Sequence, residues 1–275
     1  PHLFGLGLVE MLGDEITRDL RAIREEAVAQ AKAQGQPVTL PLTSKGINFG
    51  SIIGLPNGGA DPSQVDGVNP DLRVRPFFHQ GGTISIREFI VGAMNAEMGL
   101  EAPDPDLLAA SGGADVVTPS GMLLSGSMDA IEAPPVSSSK EDCDGDGVVN
   151  EIPTAIVDHL EFYLLNYFKA GTYDKTGTSK RGLEIFKSIG CTDCHVQNLL
   201  IEHDRRVADV ETEFDKNEPG FNRLFATASP LFYPKDDGSG LPPIKAPRGE
   251  SFLVRNIFAD FKRHDLGTGF HERNF

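Results

Sequence analysis

Cys191, Cys194 and His195 form a C-x-x-C-H pentad, residues 191–195, within the stretch SIGCTDCHVQ. This pattern is the attachment signature of c-type haem. Two thiols one helical turn apart can each add to a haem vinyl group, and the imidazole of the next residue can then ligate the iron. The pentad therefore predicts one covalently bound haem c, with His195 as an axial ligand of the haem iron.

Other uses of a C-x-x-C pair fit the sequence less well. A zinc knuckle needs a second ligand pair at similar spacing, which the sequence lacks. A thioredoxin-type pair follows a strand, whereas Leu183, Phe186 and Ile189 recur at every third position and predict a helix before the pentad. A structural disulfide across two residues is rare.

Because haem is attached outside the cytoplasm, the pentad also predicts a periplasmic or extracellular location.

The stretch EDCDGDGVVNE, residues 141–151, is a second candidate site. Alternating aspartates followed by Gly147 match the first half of a calcium-binding loop, D-x-D-x-D-G. The position of the usual bidentate glutamate is Pro153, so Glu151 or a distant residue is needed to complete the shell. The pattern predicts a Ca²⁺ ion, and the alternative is a solvated acidic turn. The expected ligands are Asp142, Asp144, Asp146, Val148 through its carbonyl, and Asn150.

The sixth ligand of the iron decides what a haem at the pentad can do. All five methionines lie at or before residue 128, which favours nitrogen over sulfur. Three histidines follow the pentad, and His264 in KRHDLGTG is the first choice for the sixth ligand. The alternative for His264 is a hydrogen bond to a loop carbonyl or a haem propionate. His203 and His271 remain as further candidates.

The composition limits the partners. The formal net charge of −15 argues against nucleic acid and anionic membranes. No apolar run reaches the length of a membrane span, so we expect no transmembrane segment. Three cysteines do not build a disulfide framework. A redox protein or a neighbouring haem subunit is the expected partner, within a possible oligomer or complex.

Helical periodicity marks most of the elements that would position these residues. Helices are predicted over residues 13–34 with Asp14 as N-cap, over SIREFIVGAMNAEMGL with Ser85 as N-cap, and over TAIVDHLEFYLLNYFKAG as far as Gly171. Residues 36–74 indicate loops with short strands such as INFGSIIGL, and residues 101–140 a mobile surface connection. Since strand signals are few, the predicted fold class is mainly α with long loops.

Four stretches resemble one protein family in the same order along the chain. PHLFGLGLVEML (1–12), RPFFHQGGTISIREFIVGAMNAEMGLEA (75–102), RGLEIFKSIGCTDCHVQNL and IKAPRGESFLVRNIFADFKRHDLG (244–267) are similar to segments of the bacterial di-haem cytochrome c peroxidases and di-haem oxidoreductases. The resemblance implies a cytochrome c-like haem domain (174–275), the remnant of a second such domain (1–125), and a linker (126–173). It also implies calcium between the two haem domains.

The chain departs from this family in carrying one C-x-x-C-H motif where the family carries two. We therefore expect a c-type cytochrome that transfers electrons through one covalent haem, as part of a larger multi-haem protein or assembly. The alternative is a di-haem peroxidase-like oxidoreductase that reduces peroxide or oxidises a partner, with its other haem outside this chain. A peroxidase-like oxidoreductase activity belongs to this alternative alone, and no catalytic residue is assigned.

Overall fold

The computed structural model describes most of the chain, including the pentad of residues 191–195. The described residues are 3, 5–78, 81–134, 151–169, 176–214, 222–235, 238, 240, 244–265, 267 and 269. Helices and strands are numbered below in chain order.

Helix α1 (Leu6–Gln34) is the longest element, and it confirms and extends the helix predicted over residues 13–34. Gly5 and Gly35, with φ of 85° and 67°, flank it in the left-handed conformation that glycine adopts readily. Asp14 lies inside the helix and is not its N-cap; its Oδ1 accepts a hydrogen bond from Arg73 at 2.7 Å. One face of α1 is buried through Leu8, Leu12, Ile16, Leu20 and Ala27.

An antiparallel sheet packs against α1 and consists of β1 (Val38–Ser44), β2 (Ile47–Gly54) and β3 (Ala60–Asp61). Lys45 and Gly46, with φ of 50° and 81°, form the two-residue turn between β1 and β2. Gly54 allows close approach to the helix, because a Cβ there would lie 2.2 Å from the backbone carbon of Ala27. The predicted strand in INFGSIIGL is confirmed as β2.

Helix α2 (Ile86–Met98) begins at Ser85 as predicted, with a capping box in which Ser85 and Glu88 satisfy each other's backbone N–H groups. The chain continues through α3 (Pro105–Ser111) and a short hairpin of β4 (Asp115–Val117) and β5 (Leu123–Ser125). Leu107, Ala110, Met122 and Leu124 are buried. The prediction of a mobile surface connection is therefore wrong for residues 101–134, because these short elements bury apolar side chains.

Helix α4 (Thr154–Asn166) ends five residues before the predicted Gly171. The chain then enters β6 (Tyr167–Lys169), and later elements are α5 (Gly177–Ser188), a 3₁₀ turn (Cys191–Asp193) and β7 (Asn198–Ile201). Asn166 explains where α4 stops, since its Oδ1 accepts hydrogen bonds from the N–H groups of Val207 and Ala208 at 2.8 and 2.9 Å. The end of the helix is thus joined to a distant segment.

The remaining strands are β8 (Ala208–Phe214), β9 (Asn222–Pro230), β10 (Phe232–Lys235), β11 (Ile244–Pro247) and β12 (Phe252–Arg255). Strand β8 pairs in parallel with β6 and antiparallel with β9. Strands β10 and β11 form an antiparallel pair, as do β7 and β12. Each of the five sheets in the described part of the chain therefore contains only two or three strands.

The predicted mainly α, cytochrome c-like fold is wrong. The described residues contain five α-helices and twelve strands in several largely antiparallel sheets, so the fold is mixed α and β. The strands were underestimated because they are short and bounded by proline and glycine, which indicate loops in a single sequence. Among the described helices, none is long and apolar enough to cross a membrane.

The division into 1–125, 126–173 and 174–275 stays a prediction. One cluster of buried residues nevertheless includes members of all three ranges, among them Leu12, Val157 and Ile201. The pairing of β6 with β8 also connects residues on the two sides of the predicted boundary at 173.

Candidate functional site

The pentad lies in a tight turn directly after α5. Gly190, with φ of 84°, takes the left-handed conformation that ends the helix and starts the 3₁₀ turn. The N–H of His195 donates to the carbonyl of Cys191 at 2.9 Å, which closes the turn. Both thiols are free, with Cys191 half-buried and Cys194 exposed. The two sulfurs are therefore not joined to each other and can react with a ligand.

His195 is held by a hydrogen bond between its Nδ1 and the carbonyl oxygen of Phe258, 3.0 Å apart. A carbonyl can only accept, so Nδ1 carries the proton, and in the neutral imidazole Nε2 then holds the lone pair. Phe258 has a φ of 50°, which is uncommon for a residue with a side chain. A histidine whose other nitrogen donates to a backbone carbonyl is the arrangement usually found for metal-ligating imidazoles. The geometry thus prepares Nε2 as a ligand atom.

The segment of residues 257–264 reaches the pentad because β12 pairs with β7. Arg255 pairs with Asn198 at the end of the two strands. Beyond this pair, the N–H of Ile257 donates to the carbonyl of Gln197 at 2.9 Å, and the N–H of Ala259 donates to the carbonyl of Val196 at 3.2 Å. At its far end, the N–H of Arg263 donates to the carbonyl of Gly67 at 2.8 Å. The 257–264 segment is therefore fixed at both ends beside the pentad.

Helix α5 presents apolar side chains next to the pentad. In α5, all of whose residues the structure describes, no side chain is buried. Ile185 and Ile189 are 49% and 69% exposed, which is unusual for isoleucine. The ring of Phe186 lies 5.6 Å from the ring of His195 and 5.6 Å from that of Phe258. An aromatic cluster of Phe186, His195 and Phe258 thus joins α5 to the pentad, with exposed isoleucines before and after Phe186 in the chain.

Cys194 belongs to a second cluster with Asp260 and His264. One potential ligand atom from each of these three residues lies within 4.8 Å of the others. Among the described residues, this is the one group of three or more histidine, cysteine or carboxylate side chains that could hold a metal ion. The Nε2 of His264 and the Oδ2 of Asp260 are 2.7 Å apart. Asp260 is only 8% exposed, and its Oδ1 accepts from the N–H of Lys262 at 3.0 Å. His264 is therefore beside the pentad, although it is 69 residues away from His195 in sequence.

Glu15 of α1 holds the chain that leaves the pentad through β7. Both oxygens of Glu15 accept from the N–H of Glu202, and Oε1 also accepts from that of His203, at 2.9–3.0 Å. Lys45 Nζ donates to Glu15 at 2.6 Å and to the carbonyl of Leu200 at 2.7 Å. Burial opposes ionisation of Glu15, but Lys45 and the two N–H groups outweigh it and lower its pKa. Glu15 is therefore a charged anchor for this segment.

The other residues predicted from sequence have different positions. The calcium-loop residues Asp142, Asp144, Asp146, Val148 and Asn150 lie outside the described residues, as does His271. His203 lines a cavity of about 440 Å³ beside α1, together with Met11 and Arg205. Glu151, proposed to complete the calcium shell, accepts from the N–H of Glu101 through Oε2 at 2.6 Å.

Sequence reasoning missed Phe258 and Asp260. The role of Phe258 depends on its backbone carbonyl, which no side-chain pattern reveals. Asp260 stands four residues before His264 in FADFKRHD, a spacing that could have drawn attention to the pair. Comparison with protein families, curated proteins and solved structures finds no match to this chain.

Proposed function

We propose that this chain binds one c-type haem covalently through Cys191 and Cys194, with His195 as an axial ligand, and transfers electrons. The observation that carries the proposal is the hydrogen bond from His195 Nδ1 to the Phe258 carbonyl, which leaves Nε2 as the ligand atom directly behind two free thiols. This bond supports the proposal because a metal-ligating histidine usually donates its other ring N–H to a carbonyl or carboxylate.

The residues around the pentad fit the chemistry of a haem. Two thiols supply the thioether bonds, and a neutral imidazole supplies the axial bond. The exposed side chains of Ile185 and Ile189 provide apolar surface that a macrocycle can cover, and the ring of Phe186 extends this surface to His195. A bound haem supplies one-electron chemistry, because its iron cycles between two oxidation states. Covering apolar surface around the iron stabilises the less charged state.

His264 is proposed as the sixth ligand, as expected from the sequence, and the proximity of His264 to Cys194 supports this assignment. Arg205 forms an ion pair with Glu10. Arg206 forms ion pairs with Asp204 and Asp209. These pairs orient the segment after β7, so we assign the two arginines a positioning role.

Four further expectations belong to the proposal. The covalent haem places the working protein outside the cytoplasm, and the single pentad favours a partner that carries further haems. The acidic net charge of −15 favours a basic region on the redox partner. The alternating aspartates of residues 142–146 are proposed as a Ca²⁺ site.

The test is haem attachment in cells that mature c-type cytochromes. After acid–acetone extraction, colour should remain with the wild-type protein, and the intact mass should exceed that of the polypeptide by one haem. Cys191→Ser and Cys194→Ser should each leave one thioether bond, and the double variant should lose all covalent haem. Cys143→Ser is the matched control and should keep one haem. If the wild-type mass equals that of the polypeptide, the proposal is wrong.

A further inference from the structure

The cluster of Cys194, Asp260 and His264 combines the three side-chain types that bind borderline transition metals. A thiolate, an imidazole and a carboxylate are common zinc ligands, with bonds of about 2.0–2.3 Å. One potential ligand atom from each residue lies within 4.8 Å of the others. Sequence spacing excluded a zinc knuckle because no second pair of ligands follows the cysteines, but the 257–264 segment supplies the missing ligands from a distant part of the chain.

We propose that the chain without haem binds one Zn²⁺-class ion through Cys194, Asp260 and His264, and that this ion excludes haem from the pentad. The two ligands cannot coexist, because a thioether bond to haem removes the thiolate of Cys194. The metal site depends only on these three side chains and not on the proposed haem, although its consequence for haem attachment rests on the proposed function.

The geometry of Asp260 and His264 requires little change on metal binding. Their Oδ2 and Nε2 atoms are 2.7 Å apart and share a proton. Two ligand atoms of a tetrahedral zinc ion lie roughly 3.3 Å apart for bonds of about 2.0 Å. The ion would replace the shared proton, and the two atoms need to separate by only about half an ångström.

Asp260 is the most firmly placed of the three ligands. It is 8% exposed, and the N–H of Lys262 holds its other oxygen at 3.0 Å. Cys194 and His264 are exposed and can adjust toward an ion. A site with three protein ligands and an exposed side leaves a fourth position for water.

Binding would release the thiol proton and the proton shared by Asp260 and His264. The affinity for the metal should therefore rise with pH. No oxidant or reductant is needed, since Zn²⁺ is redox-inert.

The first test uses Co²⁺ as a spectroscopic probe on the full chain, produced without haem and kept reduced. Wild-type protein should show a thiolate-to-cobalt charge-transfer band and the intense visible bands of a four-coordinate ion, both lost on addition of Zn²⁺. Cys194→Ser should abolish the charge-transfer band. Asp260→Asn and His264→Ala should each weaken Co²⁺ binding by roughly 10-fold or more, in line with metal sites that lose a supporting group.

Two variants serve as matched controls, and both should bind Co²⁺ like the wild type. Cys191→Ser removes the other thiol of the pentad, and His203→Ala removes an exposed histidine that lines a different cavity. The proposal is overturned if wild-type protein shows no charge-transfer band, if the band survives His264→Ala at full affinity, or if Cys191→Ser abolishes it. The last result would identify a simple C-x-x-C site.

The second test is competition during haem attachment in vitro. Zn²⁺ should reduce the yield of covalent haem in the wild type, and His264→Ala should remove much of this inhibition. If Zn²⁺ lowers the yield of covalent haem equally in the wild type and in His264→Ala, the proposal that this site excludes haem is overturned. A chain that binds Co²⁺ as expected but never takes up haem would refute the proposed function and leave the metal site standing.

Discussion

Glu10 of α1 and Arg205, which follows β7, form an ion pair with 2.7 Å between Oε1 and Nη2. The other oxygen of Glu10 accepts from the N–H of Ile86, the first residue of α2, at 2.7 Å. Burial raises the pKa of Glu10 to about 7, Arg205 acts in the opposite direction, and the nearby carboxylates Asp14 and Glu161 add to the rise. A single buried carboxyl group thus connects α1, α2 and the chain that leaves the pentad.

The stability of the protein should therefore depend on the protonation of Glu10. With a pKa near 7 when folded and 4.5 when unfolded, Glu10 favours folding most below pH 4.5, and this contribution falls as the pH rises toward 7. The loss amounts to about 3 kcal/mol in the free energy of unfolding. Glu10→Gln should remove this pH dependence, measured by urea unfolding at pH 5 and pH 8. If the free energy of unfolding changes by the same amount between pH 5 and pH 8 in Glu10→Gln and in the exposed control Glu26→Gln, the prediction is contradicted.

Glu15 should contribute to stability in the opposite pH range. Its pKa is lowered by Lys45 and by the N–H groups of Glu202 and His203 despite its burial, so its contribution is present above pH 4.5 and is lost as the pH falls. Glu15→Gln should cost about 2 kcal/mol at pH 7, since hydrogen bonds to a charged group are lost. Hydrogen exchange should quicken at the amides of residues 202 and 203. Unchanged protection there would show that Glu15 does not hold this segment.

Arg87 should be among the residues least tolerant of replacement. Its side chain is fully buried and contacts Asp104, Asp158 and Glu161 at 2.7–2.9 Å. Arg87→Met would leave these carboxylates without their cation, at a cost of about 3–5 kcal/mol. Arg87→Lys should recover only part of the loss, because one ammonium cannot match the guanidinium fork.

Urea unfolding measures both Arg87 variants. The exposed Arg255 of β12 provides a control, and Arg255→Met should stay within about 0.5 kcal/mol of the wild type. A similar small effect for Arg87→Met would mean that the buried carboxylates tolerate the loss of their shared cation.

His264→Ala tests the proposed sixth ligand in the haem-loaded protein. If His264 ligates the iron, its removal should convert a low-spin optical spectrum to a high-spin one. His203→Ala is the control and should leave the spectrum unchanged, since His203 lies beside α1 with its N–H bonded to Glu15. A low-spin spectrum that persists in His264→Ala would assign the sixth ligand to another residue.

The calcium loop can be tested without reference to its structure, because its residues 142–150 lie outside the described part of the chain. If residues 142–150 bind Ca²⁺ as proposed, a chelator should lower the melting temperature, since the ion would stabilise the folded state and its removal would leave three carboxylates without a cation. Asp144→Asn should weaken the effect of the chelator. Equal melting temperatures with and without chelator, in wild type and variant, would favour a solvated acidic turn.

Local signals predicted four of the five described helices and missed α3. Ser85 begins α2 as expected, because a serine followed three residues later by glutamate forms a capping box from neighbouring residues alone. Periodic apolar residues likewise located α1 and α5. The start of α1 was placed too late, because residues before Asp14 also pack against a distant segment: a Cβ at Gly7 would lie 2.0 Å from the carbonyl oxygen of Leu165.

The sequence by itself determined the pentad and the haem prediction that rests on it, since C-x-x-C-H spacing lies within a single turn. It could not determine the fold class, because pairing between β7 and β12 or between β6 and β8 joins residues far apart in the chain. Only the tertiary structure brought Asp260 and His264 to Cys194 and the carbonyl of Phe258 to His195. The physical reason is that strand pairing, not local periodicity, sets these distances.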